Sequence, residues 1–270
     1  MGGRGRVFEK EGIGTKMKVS ESSLLYWFPK VKNLGFRVPR TIFLPIPDLD
    51  RHEYVDGDGA CLEPHIGNIL KCAKLIGYPL FLRTDLASGK HNWNKSCYVE
   101  KEEDLISHVR EVLEFNYMAD ILGLPCKALV FREYIPLESY FVAFWGEMPV
   151  AKERRVFVRD GKVICHHAYW VEAAIVDGTR RVWNKLPTDW KEILDKKINA
   201  ISIDEEAHLL KYALLVAKAI KGYWSVDFAK AKTGEWVLID MGKGECSWHQ
   251  EDCEFNTTAY KEDGEVEIEL

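Results

Sequence analysis

Two aspartates in the C-terminal third carry the strongest chemical signal in the chain. Asp227 lies in the apolar run YWSVDFA (223–229) and Asp240 closes the run EWVLID (235–240), with Lys232, Thr233 and Gly234 between them. Both runs have strand character and the intervening residues suit a tight turn, so a hairpin sets the two carboxylates side by side. A carboxylate among valine, leucine and isoleucine is costly to bury without a cation or a hydrogen bond. Two strand-borne acids suit a hard cation such as Mg²⁺, which takes oxygen ligands from one or two carboxylates and from phosphates.

Three further constellations supply complementary chemistry. The run YPLFLR (78–83) ends in Arg83, and TDLASGK (84–90) follows it. Ser88, Gly89 and Lys90 offer backbone N–H groups and a point charge to phosphate oxygens, although a solvated turn has the same composition. The P-loop pattern GxxxxGK[ST] is absent. The run KALVFREYI (127–135) carries Arg132, Glu133, Tyr134 and Ile135. A segment leaving a sheet there presents N–H and C=O groups to the edge of an adenine, and Glu133 or Glu138 is placed for an amine or a ribose hydroxyl; an edge strand with solvated charges is the other reading. In AKERRVF (151–157) the two-residue strand period puts Glu153, Arg155 and Phe157 on one face and Lys152, Arg154 and Val156 on the other. One of the two arginines then faces a cleft, where a planar guanidinium suits a transferring phosphate.

The elements that position these groups follow from periodicity and punctuation. Helices are expected over 21–35 (interrupted or restarted at Pro29), 64–76, 101–122, about 189–200, and 205–221 with Asp204 as cap and Gly222 as stop. Strands are expected from Thr41, over 78–83, 95–100 and 127–135, and near 138–145, 153–158 and 162–170. RDGK (159–162) reads as a hairpin turn, DGDG (56–59) as a plain turn, and the acidic residues 261–270 as a frayed tail.

The chain has 270 residues, of which 47% are hydrophobic, enough for one large or two smaller domains with a real core. Its net charge of −5 weighs against nucleic acid as a partner. No apolar run approaches the roughly 18–20 residues of a membrane span, and the basic start MGGRGR lacks a signal-peptide core. Seven cysteines without a CxxC pair read as reduced cytoplasmic thiols. Cys246, His249 and Cys253 are a candidate metal group, but structural zinc sites usually show closer ligand pairs. Cys165, His166 and His167 stand together and remain in view.

The order is a strand ending in a cation, a flexible loop, an apolar strand with a glutamate, an arginine strand, a helix, and two aspartate strands around a turn. On YPLFLR (78–83), SGK (88–90), VFREYI (130–135), ERRVFVRDGK (153–162), WSVDF (224–228) and WVLID (236–240), the chain resembles the ATP-grasp superfamily over about residues 20–250. It is similar to the small divergent branches of that superfamily, such as the cell-division-cycle protein 123 family, in which an arginine can replace a phosphate-binding lysine. The resemblance implies a mixed α+β architecture: an ATP-grasp fold whose two sheet-bearing lobes clamp a nucleotide, with a small N-terminal pre-ATP-grasp lobe. The expected organisation is a disordered lead-in (1–19), the N-terminal lobe (20–77), a small subdomain with the phosphate loop (78–135), a large subdomain with the metal hairpin (136–255) and the tail (256–270).

It also implies roles. Arg83, Ser88, Gly89 and Lys90 would touch ATP phosphates. Glu133, with Arg132 and the backbone of Tyr134 and Ile135, would hold adenine, and Glu138 the ribose. Arg155 would contact the transferred phosphate, and Asp227 and Asp240 would bind Mg²⁺. The superfamily reaction joins a small-molecule or peptide carboxylate to an amine through an acylphosphate. An ATP-binding assembly factor acting on a protein partner, and a kinase or nucleotidyltransferase on nucleic acid, are the alternatives. The sequence departs from the family pattern two residues after the second acid: Gly242 stands where an asparagine commonly completes the metal shell, while Lys243 beside it is placed to face the phosphates.

Overall fold

The structure, a computed structural model, describes residues 16–46, 60–120, 126–179, 186–256 and 264–269. Its elements in chain order are β1 (Lys16–Ser20), α1 (Leu24–Val31), β2 (Thr41–Pro45), α2 (Ile66–Ile76), β3 (Leu80–Thr84), β4 (Tyr98–Val99), α3 (Leu105–Asp120), β5 (Ala128–Glu133), β6 (Ser139–Ala143), β7 (Met148–Ala151), β8 (Glu153–Arg159), β9 (Lys162–Ala168), α4 (Glu172–Thr179), α5 (Trp190–Ile193), α6 (Ile203–Ala219), β10 (Tyr223–Lys230), β11 (Trp236–Lys243) and β12 (Glu265–Glu269). The DGDG turn lies outside the described residues.

Two four-stranded antiparallel sheets dominate, in the orders β2-β5-β3-β4 and β11-β10-β8-β9. On the first, Leu80, Leu82 and Phe131 pack against Ile69 of α2 and Leu105 and Val109 of α3. Period-2 alternation therefore turns Phe81, Arg83 and Arg132 to the opposite face. On the second, Trp224, Val226 and Phe228 pack against Trp27 of α1 and Leu209, Ala213 and Val216 of α6. Each such fully buried side chain contributes on the order of 1.5–3 kcal/mol of transfer free energy, so both alternations are strongly specified. The β6–β7 hairpin, α4 and α5 form a third core around Phe144, Trp170 and Trp190.

Several expectations are corrected. Ser202, not Asp204, caps α6, in a capping box with Glu205. The buried stripe of α6 is Leu209, Ala213, Val216 and Ala217, while Leu214 is exposed. The return strand shrinks to Tyr98–Val99, and the separate strand Met148–Ala151 was not anticipated. The acidic tail is not frayed where it is described: Glu265–Glu269 pairs antiparallel with Lys16–Ser20, at the end of the expected lead-in and the first residue of the next segment, and Lys16 Nζ meets Glu267 at 2.8 Å. Alternating acids on one strand and lysines on the other account for that pairing. β2 joins the same sheet as β3 and β5, so the expected boundary at residue 77 cuts through a sheet. The RDGK turn holds as read, with Asp160 and Gly161 both at positive φ, and its carboxylate accepts from Gly222 N at 2.8 Å. No helix among the described residues is long and apolar enough to cross a membrane.

Candidate functional site

The cleft-facing sides of the two sheets line an open cavity of about 140 Å³. Its floor is set by strand register. Arg155 on β8 lies opposite Asp227 on β10, and Asp227 lies opposite Asp240 on β11, so three charged residues stand abreast on neighbouring strands. Immediately beyond them the β10–β11 ladder slips, and Phe228 pairs with Leu238, leaving Ile239 as the bulged residue.

Every charge here is engaged. Arg155 donates through Nε and Nη2 to the two oxygens of Asp227, both at 2.8 Å, and through Nη1 to the Trp248 carbonyl at 3.1 Å. Arg83, from the facing sheet, donates to Asp240 at 2.9 Å and to the carbonyls of Thr84 and Leu86 at 3.0 and 3.2 Å. Arg132 donates to the Ile239 carbonyl at 2.6 Å, but its Nη2 is buried with no acceptor. Lys90 Nζ lies 2.9 Å from the Tyr169 hydroxyl. Arg154, on the other face of β8, reaches the Asn199 carbonyl, and Lys152 reaches Glu205, as the two-residue period requires.

Burial and neighbours shift the ionisation. Burial, with Arg83 beside it, pulls Arg132 down to about 9, partly offset by Asp240. Burial would lower Lys90 and Arg155 as well. Tyr169, Glu153 and Asp227 outweigh it for Lys90, and Asp227 does so for Arg155, so both are held above their ordinary values. Burial pushes Glu153 up to about 7, with Lys90 opposing and Asp227 adding to the rise. Its Oε1 accepts from Trp170 Nε1 at 3.3 Å, and its Oε2 is buried without a partner.

The Glu153 shift has a testable sign. A folded-state pKa raised from 4.5 to about 7 means the native chain keeps a proton that the unfolded chain has released. The stabilisation is full below 4.5 and is lost as pH rises through about 7. Glu153→Gln keeps the neutral shape at every pH. Its Tm relative to wild type is therefore expected to rise between pH 5 and 8, by roughly a few degrees. A difference independent of pH would refute the assignment.

Most of the sequence-identified residues meet in this cleft. Arg83, Ser88, Lys90, Arg132, Glu133, Tyr134, Ile135, Asp227 and Asp240 line it. Glu133 stands at the rim, held by Arg37 at 2.9 Å and by Arg40 N at 3.1 Å. Four residues depart from expectation. Arg155 is on the correct face but stands behind Asp227, off the lining. Gly89 is off the lining too; at φ 59°, its missing side chain would meet Phe115. Glu138 binds Tyr140 and sits 3.7 Å from Lys230, away from the cleft lining. Lys243 is three residues past Asp240, so the strand period turns it to the opposite face, where it pairs with Glu21 at 2.8 Å beside the Trp224 ring. Gly242 shares the Asp240 face; a Cβ there would stand 3.4 Å from Ser247 Oγ, so a small side chain fits.

The lining also holds residues to which the sequence assigned no role, among them Phe81, Met148, Glu153 and Tyr169. Phe81 and Glu153 were accessible through the same alternation that flagged Arg83 and Arg155. Met148 comes from β7, which no local pattern marked, and Tyr169 directly follows β9. The 84–94 loop is stapled over the cleft: His91 stacks on Phe144 at 4.1 Å, Gly146 N donates to the His91 carbonyl at 3.0 Å, and Asn94 N donates to Gly146 at 3.1 Å. Gly146 is required for that approach, since a Cβ would lie 2.3 Å from Trp93 N.

The model of an ATP-grasp domain, family 3 of the R-2K clade, matches residues 73–262, and the chain belongs to that family. No curated protein matches it in sequence. Among solved structures it is similar in fold to Cdc123 from Schizosaccharomyces pombe, at 16% identity over 83% of each chain with a TM-score of 0.47. It is also similar to the VanG D-Ala:D-Ser ligase from Enterococcus faecalis, at 13% identity over 83% of this chain and 52% of that one, TM-score 0.42. The D-alanine–D-alanine ligase from Bacillus anthracis complexed with ATP gives 15% identity over 83% of this chain and 53% of that one, TM-score 0.43. The chain spans about half the length of these two ligases.

Proposed function

We propose that this cleft binds ATP with Mg²⁺ and transfers the terminal phosphoryl group to a carboxylate, which an amine then attacks to form an amide. One observation carries the reading: Asp227 and Asp240 stand directly opposite each other on adjacent strands, faced across the cleft by Arg83, Arg132 and Lys90. The residues fit an anionic ligand with a cation. Arg132 Nη2 is a buried donor lacking an acceptor, as a phosphate oxygen would supply. Asp227 and Asp240 would hold the Mg²⁺, which neutralises charge on phosphate oxygens when bound. Phe81, Trp93, Tyr134, Ile135 and Met148 give the apolar end of the cleft the character of a base slot.

This chain's own groups divide the work. Arg83 and Lys90 place fixed positive charge beside the phosphoryl group. Arg155 orients Asp227 through its bidentate bond. The loop clasped by Gly146 keeps water from the acylphosphate. In the first step the carboxylate oxygen bonds to phosphorus as ADP leaves. In the second the amine nitrogen bonds to the acyl carbon, phosphate leaves, and the amine gives up a proton.

A second reading is favoured by a specific observation: both metal-candidate acids are already neutralised by arginines, and Gly242 adds no ligand. That suits an ATP-binding assembly factor with little turnover, whose bound nucleotide shapes a surface for a protein partner. The deciding experiment incubates the protein with Mg·ATP and pools of carboxylic acids and amines, and measures ADP, AMP and phosphate. ADP and phosphate that require both pools support ligation. Tight ATP binding without ADP under every pool supports the assembly factor, and AMP with pyrophosphate overturns both.

A further inference from the structure

On the cleft-side face of the second sheet, at its β9 edge, four side chains that are distant in sequence converge. Cys165 and His167 are two apart on β9 and so share one face of the strand. His249 and Cys253 come from the segment that follows β11. One ligand atom from each of the four lies within 4.8 Å of the other three. Cys165 Sγ is 3.2 Å from His249 Nε2, and the two imidazoles are 4.7 Å apart. His166, on the opposite face, turns away to Glu206.

We propose that Cys165, His167, His249 and Cys253 bind one zinc ion as a structural site. Two thiolates and two imidazoles are the donor set that selects tetrahedral zinc. Bond lengths of ~2.3 Å to sulfur and ~2.0–2.1 Å to nitrogen put tetrahedral donors roughly 3.3–3.8 Å apart. The observed convergence needs only a small contraction to reach this spacing. Two features of the pocket point independently to an ion. His167 Nε2 is a buried nitrogen without a hydrogen-bond partner. His249 presents Nδ1 to the Gln250 carbonyl at 3.3 Å, which fixes the tautomer that leaves Nε2 with a lone pair toward Cys165. A Cys165–Cys253 disulfide would satisfy neither imidazole.

The ion has a clear mechanical task. Residues 247–256 form no strand or helix, and among the described residues they are held largely by short turns and by the Arg155 bond to the Trp248 carbonyl. A zinc ion would clip this segment to β9. Because His167 is the cross-strand neighbour of Arg155 and Trp248 precedes His249, the clip would fix the carbonyl that orients Arg155 and, through it, Asp227.

The test begins with metal analysis of full-length protein purified without chelator, both as isolated and after dialysis against zinc. About one equivalent of zinc per chain is expected. Cobalt exchanged into the site should give the thiolate-to-cobalt charge-transfer band and the intense visible bands of tetrahedral geometry. Cys165→Ser and Cys253→Ser should each lose the metal, while Cys246→Ser, at an exposed cysteine outside the cluster, should keep it. A zinc chelator should lower the Tm of the wild-type protein, and added zinc should restore it. Wild-type protein without stoichiometric zinc after dialysis, or with an octahedral cobalt spectrum, overturns the proposal; so does intact mass showing a disulfide in metal-free, freshly purified protein. The wild-type measurements decide the matter even if the serine variants fail to fold.

Discussion

Asp240→Asn is expected to erase the rise in Tm that Mg·ATP gives the wild-type protein. A ligand at about a hundred times its Kd adds roughly 2.7 kcal/mol, and for a chain of this size that is on the order of 5–10 °C. Asparagine keeps the shape of Asp240 but removes a charged oxygen ligand, so Mg²⁺ affinity in the ATP complex should collapse. The substitution also takes the ionic partner from Arg83, whose side chain is 5% exposed. That cost is tempered, because the Asp240 side chain is 38% exposed and water screens the pair, and because Arg83 keeps its bonds to the Thr84 and Leu86 carbonyls. The Tm without ligand should fall only modestly while the Mg·ATP increment disappears. An increment equal to that of wild type would sink the metal assignment.

Arg155→Ala should be the most destabilising single change in the cleft. In the Arg155–Asp227 pair Asp227 is buried and Arg155 mostly so, and the contact is bidentate at 2.8 Å. Removing one partner of such a pair leaves an uncompensated charge and costs about 3–5 kcal/mol. The double variant Arg155→Met, Asp227→Leu replaces both charges with apolar groups of similar bulk and should recover much of that stability. It should not recover nucleotide binding, because Asp227 is then gone. This split separates the support that the pair gives the fold from the part Asp227 plays in binding. A double variant that binds Mg·ATP as tightly as wild type would remove Asp227 from the site.

The two variants bear on one electrostatic arrangement. Arg83, Lys90 and Arg132 sit close together in a low-dielectric cleft, and Asp227, Asp240 and Glu153 balance them. Burial of Arg132, with Arg83 beside it, already draws its pKa down to about 9, so the like charges are held under strain. A bound polyphosphate would relieve that repulsion and free the acids for a metal. Burial, only partly opposed by Lys90, is what brings Glu153 to about 7.

Local pattern alone determined a good part of this protein. The order along the chain of the strands in the two four-stranded sheets, the turns at Asp160–Gly161 and Gly234, and the face of β8 that carries Arg155 follow from alternation and punctuation over short windows. So do nine of the residues that line the cleft, because the strand period is two and a cation among apolar neighbours must face away from the core. Tertiary structure decided what depends on register and on long connections. It placed Arg155 beside Asp227 through a pairing between strands far apart in the chain, whereas the hairpin that sets Asp227 against Asp240 is local. It turned Lys243 to Glu21 and Glu138 to Tyr140, since a charge near a site in sequence is pointed by its strand and claimed by its nearest partner. It paired the acidic tail with Lys16–Ser20 across nearly the whole chain. It also joined Cys165 and His167 to His249 and Cys253, where sequence spacing had pointed to Cys246. Loop closure over some eighty residues leaves no trace in local composition, so only the folded chain brings those four donors together.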